Sequence, residues 1–272
     1  MSFLTKIKHG LQQVIWPSGT VATIQRGHLQ GLKFVITDNL GWSPILGRWE
    51  PESHEVFARF IKPGQTVFDL GANNGIHSLL FSKLVGKSGK VIAFEPLPEN
   101  VEELRKNFGL NNITNIEVVQ SAVGDHDGEI TFFLGQATTQ GSIVGIGRQS
   151  GSEKKVPLIC LNTFITNKRL KPDFIKMDIE GAESAALEGL GDLINEIKPV
   201  FFIELHTPEQ DQKVGSFFRR YNYQIYRVTQ KKVNRARGLP YLEEIKDLHL
   251  TYPHPDGIWG TILALPPSFQ LP

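Results

Sequence analysis

The stretch Thr66-Val-Phe-Asp-Leu-Gly-Ala-Asn-Asn-Gly-Ile76 decides the fold of this chain. It begins with an apolar run that contains Asp69, passes through a glycine turn, and is followed by apolar residues at helical spacing as far as Leu84. This order predicts a buried strand, a tight turn and a helix, which open a nucleotide-binding α/β unit. For this motif taken alone, a strand, turn and helix without a ligand is the alternative.

The turn differs from the dinucleotide fingerprint G-x-G-x-x-G. Its glycines are Gly71 and Gly75, and Asn73 stands where the fingerprint has its middle glycine. No glycine is therefore placed for a pyrophosphate. S-adenosylmethionine has no phosphate, and its site must let the backbone approach an amino acid and a ribose. The turn therefore favours S-adenosylmethionine over a dinucleotide.

A second strand pattern, Gly89-Lys-Val-Ile-Ala-Phe-Glu95-Pro96, ends in an acid. Glu95 follows Gly75 by 20 positions. In doubly wound sheets, an acid at about this distance from the glycine turn accepts hydrogen bonds from ribose hydroxyls. A single acid at a strand end is usually a solvated loop residue, but its pairing with the first motif favours a ribose-binding role.

The chain resembles the FkbM family of S-adenosylmethionine-dependent methyltransferases. The resemblance covers roughly residues 63–206 and rests on five segments in this order: VFDLGANNG (67–75), VIAFEPLPEN (91–100), SAVGD (121–125), FIKMDIEGAE (174–183) and FIELH (202–206). It implies a Rossmann-like class I methyltransferase, an α/β fold with a mostly parallel seven-stranded sheet, helices on both faces and an antiparallel last strand. The implied activity is O-methylation of a hydroxyl on a sugar, a polysaccharide precursor or a natural product.

Strand and helix patterns alternate along the chain, which predicts a parallel sheet with crossovers. We expect residues 1–62 to form an N-terminal extension with an amphipathic helix and short strands, a candidate lid over the site. Residues 63–272 are the expected cofactor-binding methyltransferase domain, with an inserted β segment at 128–134. The other expected elements are strands 66–70, 90–95, 115–119, 173–178, 199–205, 223–229 and 257–265 and helices 51–61, 74–86, 98–109, 183–190 and 208–221.

The expected cofactor site lies at the carboxyl ends of the first three sheet strands. Asp69 suits the ammonium of the cofactor's methionine part, and Glu95 suits its ribose. Small and apolar residues after the third strand fit a flat adenine ring. The full set of expected contacts is Asp69, Gly71, Ala72, Asn73, Gly75, Glu95, Pro96, Ser121, Ala122 and Val123.

The expected catalytic group is Asp178, Glu180, Glu204 and His206, at the ends of two later strands. Residues i and i+2 of a strand point to the same side, so each pair is expected to face one cleft. Two mechanisms stay open here. His206 acts as a general base, because an unperturbed histidine has a pKa of about 6.5, or Asp178, Glu204 and His206 hold a divalent cation. A purely structural cluster is the alternative to both.

The amino-acid composition limits the classes of partner that this chain is expected to bind. The formal net charge is +1, without the concentrated basic footprint of a nucleic-acid-binding protein. The single cysteine, Cys160, excludes an internal disulfide and fits a reducing compartment. No run reaches the roughly 18 apolar residues of a transmembrane helix. We expect a cytoplasmic protein that binds a small-molecule or glycan acceptor, with a homodimer left open.

Two other functions stay open at this point. The first is a nicotinamide-dependent oxidoreductase, against which Asn73 and the absence of a Tyr-x-x-x-Lys pair both count. The second is a scaffold that binds the cofactor without catalysis. The acids at positions 69, 95, 178 and 204 weigh against that scaffold.

Overall fold

The computed structural model describes residues 17–37, 40–134, 141–142, 153–229, 241–246, 260–267 and 269. The amphipathic helix expected before residue 17 and the first part of the strand expected at 257–265 lie outside these residues. Within the described part of the chain, none of the helices combines the length and the apolar character needed to cross a membrane.

Fourteen strands occur in the described residues, in three sheets. In chain order they are β1 Val21–Thr23, β2 Lys33–Val35, β3 Thr66–Leu70, β4 Lys90–Phe94, β5 Ile116–Val119, β6 Ala122–Gly124, β7 Gly128–Leu134, β8 Gly141–Ser142, β9 Glu153–Cys160, β10 Phe174–Met177, β11 Val200–Glu204, β12 Gln224–Thr229, β13 Tyr241–Glu244 and β14 Thr261–Leu265. The central sheet has the order β13-β12-β14-β11-β10-β3-β4-β5.

The central sheet is mostly parallel, as the sequence predicts. Strands β11, β10, β3, β4 and β5 run parallel to one another, and β14 lies antiparallel between β11 and β12. The described sheet has eight strands rather than the expected seven. The additional strand is β13, which pairs antiparallel with β12 at the edge.

Helices cover both faces of this sheet. They are α1 Pro51–Phe60, α2 Ile76–Val85, α3 Pro98–Leu110, α4 Leu161–Lys168, α5 Glu183–Leu190, α6 Ile194–Ile197 and α7 Pro208–Arg220, with a 3-10 turn at Gly191–Leu193. Alternation along β3 sends Val67 into a core with Phe57 and Leu80, from α1 and α2. Phe68 enters the opposite core with Phe217 of α7. Burial on both sides explains the continuous apolar character of these strands.

The N-terminal extension packs directly on the sheet domain. Phe34 of β2 lies in the same core as Val67. Two asparagines of α3 hold the backbone of β2: Asn107 Oδ1 accepts from Val35 N at 2.9 Å, and Asn111 Oδ1 accepts from Lys33 N at 2.8 Å. This packing carries the segment before α1 to the carboxyl edge of the sheet. The domain boundary after residue 62 stays a prediction.

The inserted β segment belongs to a four-stranded sheet with the order β6-β9-β7-β8. Its longest strand, β9, ends at Cys160. This cysteine is buried, and its Sγ lies 3.0 Å from the carbonyl oxygen of Gly189. Phe132 of β7 is 8% exposed and faces the cleft described below. The insertion therefore supplies part of the site.

Candidate active site

A cleft of about 640 Å³ opens at the carboxyl ends of β3 and β4. The loop after β10 and the residues of β6 and β7 complete its wall. Of the ten residues expected at the cofactor, seven line it: Gly71, Asn73, Glu95, Pro96, Ser121, Ala122 and Val123. The other three, Asp69, Ala72 and Gly75, do not line this cleft.

Glu95 is the polar centre of the cleft. Its Oε1 accepts from Leu97 N and from Asn100 Nδ2, each at 3.0 Å, and its Oε2 accepts from Asn73 N at 2.9 Å. The residue is only 4% exposed. Burial raises its pKa to about 7, although the three hydrogen bonds favour the charged form. The carboxylate thus fixes the glycine turn to the end of β4 and faces the cleft.

The two glycines of the turn are required by packing rather than by a ligand alone. Gly71 has φ +78°, and a Cβ there would lie 1.9 Å from the carbonyl oxygen of Asp178. Gly75 has φ +82°, and a Cβ there would lie 2.7 Å from Phe108 of α3. Gly75 does not line the described cleft, and its expected contact with the cofactor stays a prediction. Even a methyl group at Gly71 would separate the two loops that form the cleft.

Among the residues expected at the cofactor, Asp69 has the surroundings that differ most from those expected. We expected an accessible acid for the cofactor's ammonium, but Asp69 is 0% exposed. Its Oδ1 lies 3.5 Å from Lys176 Nζ, and its Oδ2 accepts from the Ser78 hydroxyl at 2.6 Å. The physical reason is its position inside β3, where a carboxylate can persist only when it is paired. Asp69 neutralises a buried lysine instead of reaching the cleft.

Lys176 ties β10 to the glycine turn. Its Nζ donates to the carbonyl oxygen of Gly71 at 3.0 Å and lies 3.6 Å from Asp178 Oδ2. Burial lowers the pKa of Lys176, but the charges of Asp69 and Asp178 outweigh it and raise the pKa above its ordinary value. This cation stands beneath the loop that carries Asp178.

A second, polar pocket of about 950 Å³ adjoins the cleft. Both cavities share Gly71, Asn73, Asp178 and Glu180. Ala72, expected at the cofactor, lines this second pocket instead. Its polar residues include Glu50, Glu103, His77, Lys176, Glu204 and His206. The two cavities meet between the glycine turn and the loop after β10.

His206 is surrounded by carboxylates. Its Nε2 lies 3.5 Å from Asp178 Oδ1 and 3.5 Å from Glu180 Oε2, and its Nδ1 lies 3.4 Å from Glu183 Oε1. Burial lowers the pKa of His206, but the ion-pair contact with Glu183 and the negative charges of Asp178 and Glu180 raise it to about 9. The imidazole therefore carries a proton at neutral pH. The expectation that His206 is a general base with an ordinary pKa is corrected by these neighbours.

Asp178 and Glu180 come together for a reason other than strand alternation. Strand β10 ends at Met177, so both residues belong to the following loop. Glu180 and Gly181 have φ of 54° and 96°, which turn the loop back toward the site. The loop is held by Glu183, whose Oε1 accepts from Gly181 N at 3.1 Å. Non-glycine residues in this conformation are strained and concentrate at functional sites.

The residues that could hold a cation also differ from expectation. Asp178, Glu180 and His206 each offer a ligand atom, and these atoms lie within 4.8 Å of one another. Glu204 is not a member of this cluster. The structure thus groups Glu180, rather than the expected Glu204, with Asp178 and His206, because the left-handed turn at Glu180 brings that carboxylate to His206. Glu183 on the other ring nitrogen is the support that metal-bound histidines commonly have.

The pKa values of Glu204 and Glu50 are shifted in opposite directions. Burial raises the pKa of Glu204, and the charges of Asp178 and Glu50 raise it further, to about 7. Burial would also raise the pKa of Glu50, but His77 and Lys176 lower it to about 2. Glu204 therefore exchanges a proton near neutral pH, whereas Glu50 stays ionised.

Three participants were not predicted from the sequence: Lys176, Glu183 and Glu50. For Lys176 a signal existed, because a lysine inside the apolar strand Phe174–Met177 must find a buried anion. Glu183 belongs to the quoted segment FIKMDIEGAE but resembles an ordinary first-turn helix acid. Glu50 precedes Pro51 at the start of α1, and nothing in its local sequence marks it.

We expect Glu95→Gln to weaken binding of S-adenosylhomocysteine by roughly 10- to 150-fold, corresponding to about 1.5–3 kcal/mol for a hydrogen bond to an ionised group. An amide would also place an NH₂ group against one of the three N–H donors that Glu95 now satisfies. Isothermal titration calorimetry measures the affinity, and Glu99→Gln on the exposed face of α3 is the matched control. Unchanged affinity in the Glu95 variant would remove Glu95 from the cofactor site.

The family model described as the methyltransferase FkbM domain matches residues 69–225, more than half of the chain. A solved structure described as methyltransferase FkbM from Methylobacillus flagellatus has 18% sequence identity and a TM-score of 0.46, and the alignment covers 85% of this chain and 56% of that one.

Curated relatives match over shorter segments. A protein-L-isoaspartate O-methyltransferase of Methanococcus maripaludis is 41% identical over 56 residues, which are 21% of this chain and 26% of that protein. Methyltransferase 1 of Beauveria bassiana is 26% identical over 148 residues, covering 46% of this chain and 58% of that protein. The chain thus spans between about a quarter and somewhat over half of these two relatives.

Proposed function

This chain belongs to the FkbM methyltransferase domain family, and from that premise we propose that it is an S-adenosylmethionine-dependent O-methyltransferase. The proposed acceptor is a hydroxyl group of a sugar, a polysaccharide precursor or a natural product. The observation that carries the proposal is the junction of two cavities at Gly71, Asn73, Asp178 and Glu180. One cavity suits the cofactor, and the other, polar cavity suits a hydroxyl-bearing acceptor. The oxidoreductase alternative has no support from the family match.

The residues of the first cleft fit S-adenosylmethionine. Glu95 offers a buried carboxylate for ribose hydroxyls. Leu97, Val123 and Phe132 offer apolar surface for adenine. Gly71 leaves no side chain between the turn and the cleft. When bound, the cofactor supplies an electrophilic methyl group on a sulfonium. The protein then has to align the acceptor oxygen and remove its proton.

Glu204 is the proposed proton acceptor. A general base works best when its pKa lies near the operating pH, and the pKa of Glu204 is raised to about 7. His206 holds its own proton at this pH, since its pKa is about 9. The imidazolium then has a different role, which is to hold Asp178 and Glu180 at the junction. Lys176 balances part of the negative charge below them.

A divalent cation is a further part of the proposal. Asp178 Oδ1 and Glu180 Oε2 flank His206 Nε2, while Asp178 Oδ2 faces Lys176. Two carboxylates and an imidazole suit Mg²⁺ or Mn²⁺. Such an ion would supply positive charge that lowers the pKa of an acceptor hydroxyl. His206 would have to lose its proton first, so binding should strengthen as the pH rises toward 9.

We expect Mn²⁺ to bind the purified protein with one site per chain, and more tightly at higher pH. Electron paramagnetic resonance of free Mn²⁺ measures binding without reference to turnover. Asp178→Asn should weaken it at least tenfold, and Asp125→Asn on the surface is the control. If wild type does not bind Mn²⁺ and a chelator leaves turnover unchanged, the cation is excluded and Glu204 acts without it.

The proposed activity is tested with S-adenosylmethionine carrying a labelled methyl group and a panel of polyhydroxylated acceptors. We expect the label on an acceptor oxygen, identified by mass spectrometry and alkaline stability, with equal release of S-adenosylhomocysteine. Label on a nitrogen, sulfur or carbon atom instead would contradict O-methylation while leaving the family assignment intact.

A further inference from the structure

The N-terminal extension contributes Thr37, Leu40, Trp49 and Glu50 to the polar pocket. Of these, Trp49 and Glu50 are adjacent in sequence and differ in chemistry, an indole beside a carboxylate. Neither belongs to the cleft assigned to the cofactor. They are therefore available to recognise the acceptor.

Trp49 is held by two histidines. Its ring centroid lies 4.7 Å from that of His77 and 5.8 Å from that of His54. His77 lines the same pocket and is only 7% exposed. Its Nε2 lies 3.4 Å from Glu50 Oε2 but makes no hydrogen bond of good geometry within the described residues. Such a long contact leaves the ring nitrogen able to bind a ligand group in the cavity.

Glu50 stays charged and accessible. Its Oε2 lies 3.4 Å from His77 Nε2, and its side chain is 36% exposed. Its pKa is about 2, because the interaction with His77 and the charge of Lys176 overcome the effect of burial. An ionised carboxylate next to an indole is the combination that binds an ammonium group, through a charge-assisted hydrogen bond and a cation–π contact.

The charged side chains of the pocket also favour a cationic ligand. Five carboxylates line it, those of Glu50, Glu103, Asp178, Glu180 and Glu204. Lys176 and His206 also line the pocket, but Lys176 is already shared between Asp69 and Asp178, and the carboxylates of Asp178, Glu180 and Glu183 surround His206. A phosphate-bearing acceptor would be repelled here, whereas a cationic one would be attracted.

From these contacts we infer that the acceptor carries a protonated amine near its hydroxyl groups, as an amino sugar does, and that Trp49 and Glu50 bind that amine. The inference rests on the proposed O-methyltransferase function and specifies its acceptor class. His77 Nε2 would meet a neighbouring hydroxyl. The N-terminal extension thereby selects the acceptor, while the sheet domain holds the cofactor.

The test compares four probes by calorimetry on the full chain saturated with S-adenosylhomocysteine. They are methyl glucosaminide, its N-acetyl derivative, methyl glucoside and glucose 6-phosphate, at a pH where the free amine is protonated. We expect the amine to bind at least roughly tenfold tighter than the N-acetyl sugar, and the phosphate not to bind. Equal affinity of the amine and its N-acetyl derivative, or no binding of any probe, would overturn the inference.

Substitutions identify the residues that cause the preference for the amine. Glu50→Gln should abolish the preference for the amine, and Trp49→Ala should weaken both glucosaminides, with unchanged affinity for S-adenosylhomocysteine in each variant. The matched controls are Glu52→Gln and Trp42→Phe, whose side chains do not line the pocket. Amine preference that survives Glu50→Gln contradicts the assignment. If the wild-type protein does not bind S-adenosylhomocysteine, the proposed function itself is contradicted. Failure of the proposed function is thus distinguished from failure of the amine inference.

Discussion

Asp69→Ala is expected to lower the free energy of unfolding by about 3–5 kcal/mol, the usual cost of leaving a buried charge without its partner. The uncompensated charge would be that of Lys176, which is 3% exposed and lies 3.5 Å from Asp69. Asp178 lies 3.6 Å from the same Nζ and offsets part of the loss. Urea denaturation followed by circular dichroism measures the change.

A double-mutant cycle separates charge from packing. Asp69→Ala combined with Lys176→Met should be more stable than Asp69→Ala alone, because no unpaired charge then remains in the core. Ser78→Ala removes only the donor to Asp69 and should cost about 1 kcal/mol. If Asp69→Ala is no less stable than Ser78→Ala, the Asp69–Lys176 pair does not hold the sheet. The variant would also show whether any loss of cofactor binding is secondary to unfolding.

Glu204→Gln is expected to reduce kcat by roughly 10²–10⁴-fold, the range for removal of a general base. The substitution keeps the size and shape of the side chain and removes its ability to accept a proton. Affinity for S-adenosylhomocysteine should not change, because Glu204 does not line the cofactor cleft. Glu209→Gln on the exposed side of α7 is the control.

The pH profile gives this prediction a second readout. The pKa of Glu204 is raised to about 7, so the residue is protonated and inactive as a base below that value. Wild-type activity should therefore rise as the pH increases through about 7, and the rise should vanish in Glu204→Gln. A variant that keeps both its rate and the same pH limb would exclude Glu204 as the base.

Much of the fold was accessible from the sequence because it depends on local pattern. The strand Thr66–Leu70 is found with its predicted bounds, and α3, predicted as 98–109, is found at Pro98–Leu110. The mostly parallel sheet and the FkbM methyltransferase family are both confirmed. Strand β13 was missed because an edge strand of four residues carries little periodicity.

The sequence by itself predicted where the candidate site lies: at the carboxyl ends of β3, β4, β10 and β11, where Glu95 lines the first cleft. Spacing along one chain is enough for that, since parallel strands bring these ends to one edge. Only the tertiary structure decided what the charged groups do there. Asp69 forms a buried ion pair with Lys176, and three carboxylates near His206 favour its protonated form. The turn at Glu180 places the Glu180 carboxylate, rather than that of Glu204, in the cluster with His206. These outcomes depend on distances between atoms of separate elements and on the summed field of all nearby charges, neither of which is written in any local stretch of sequence.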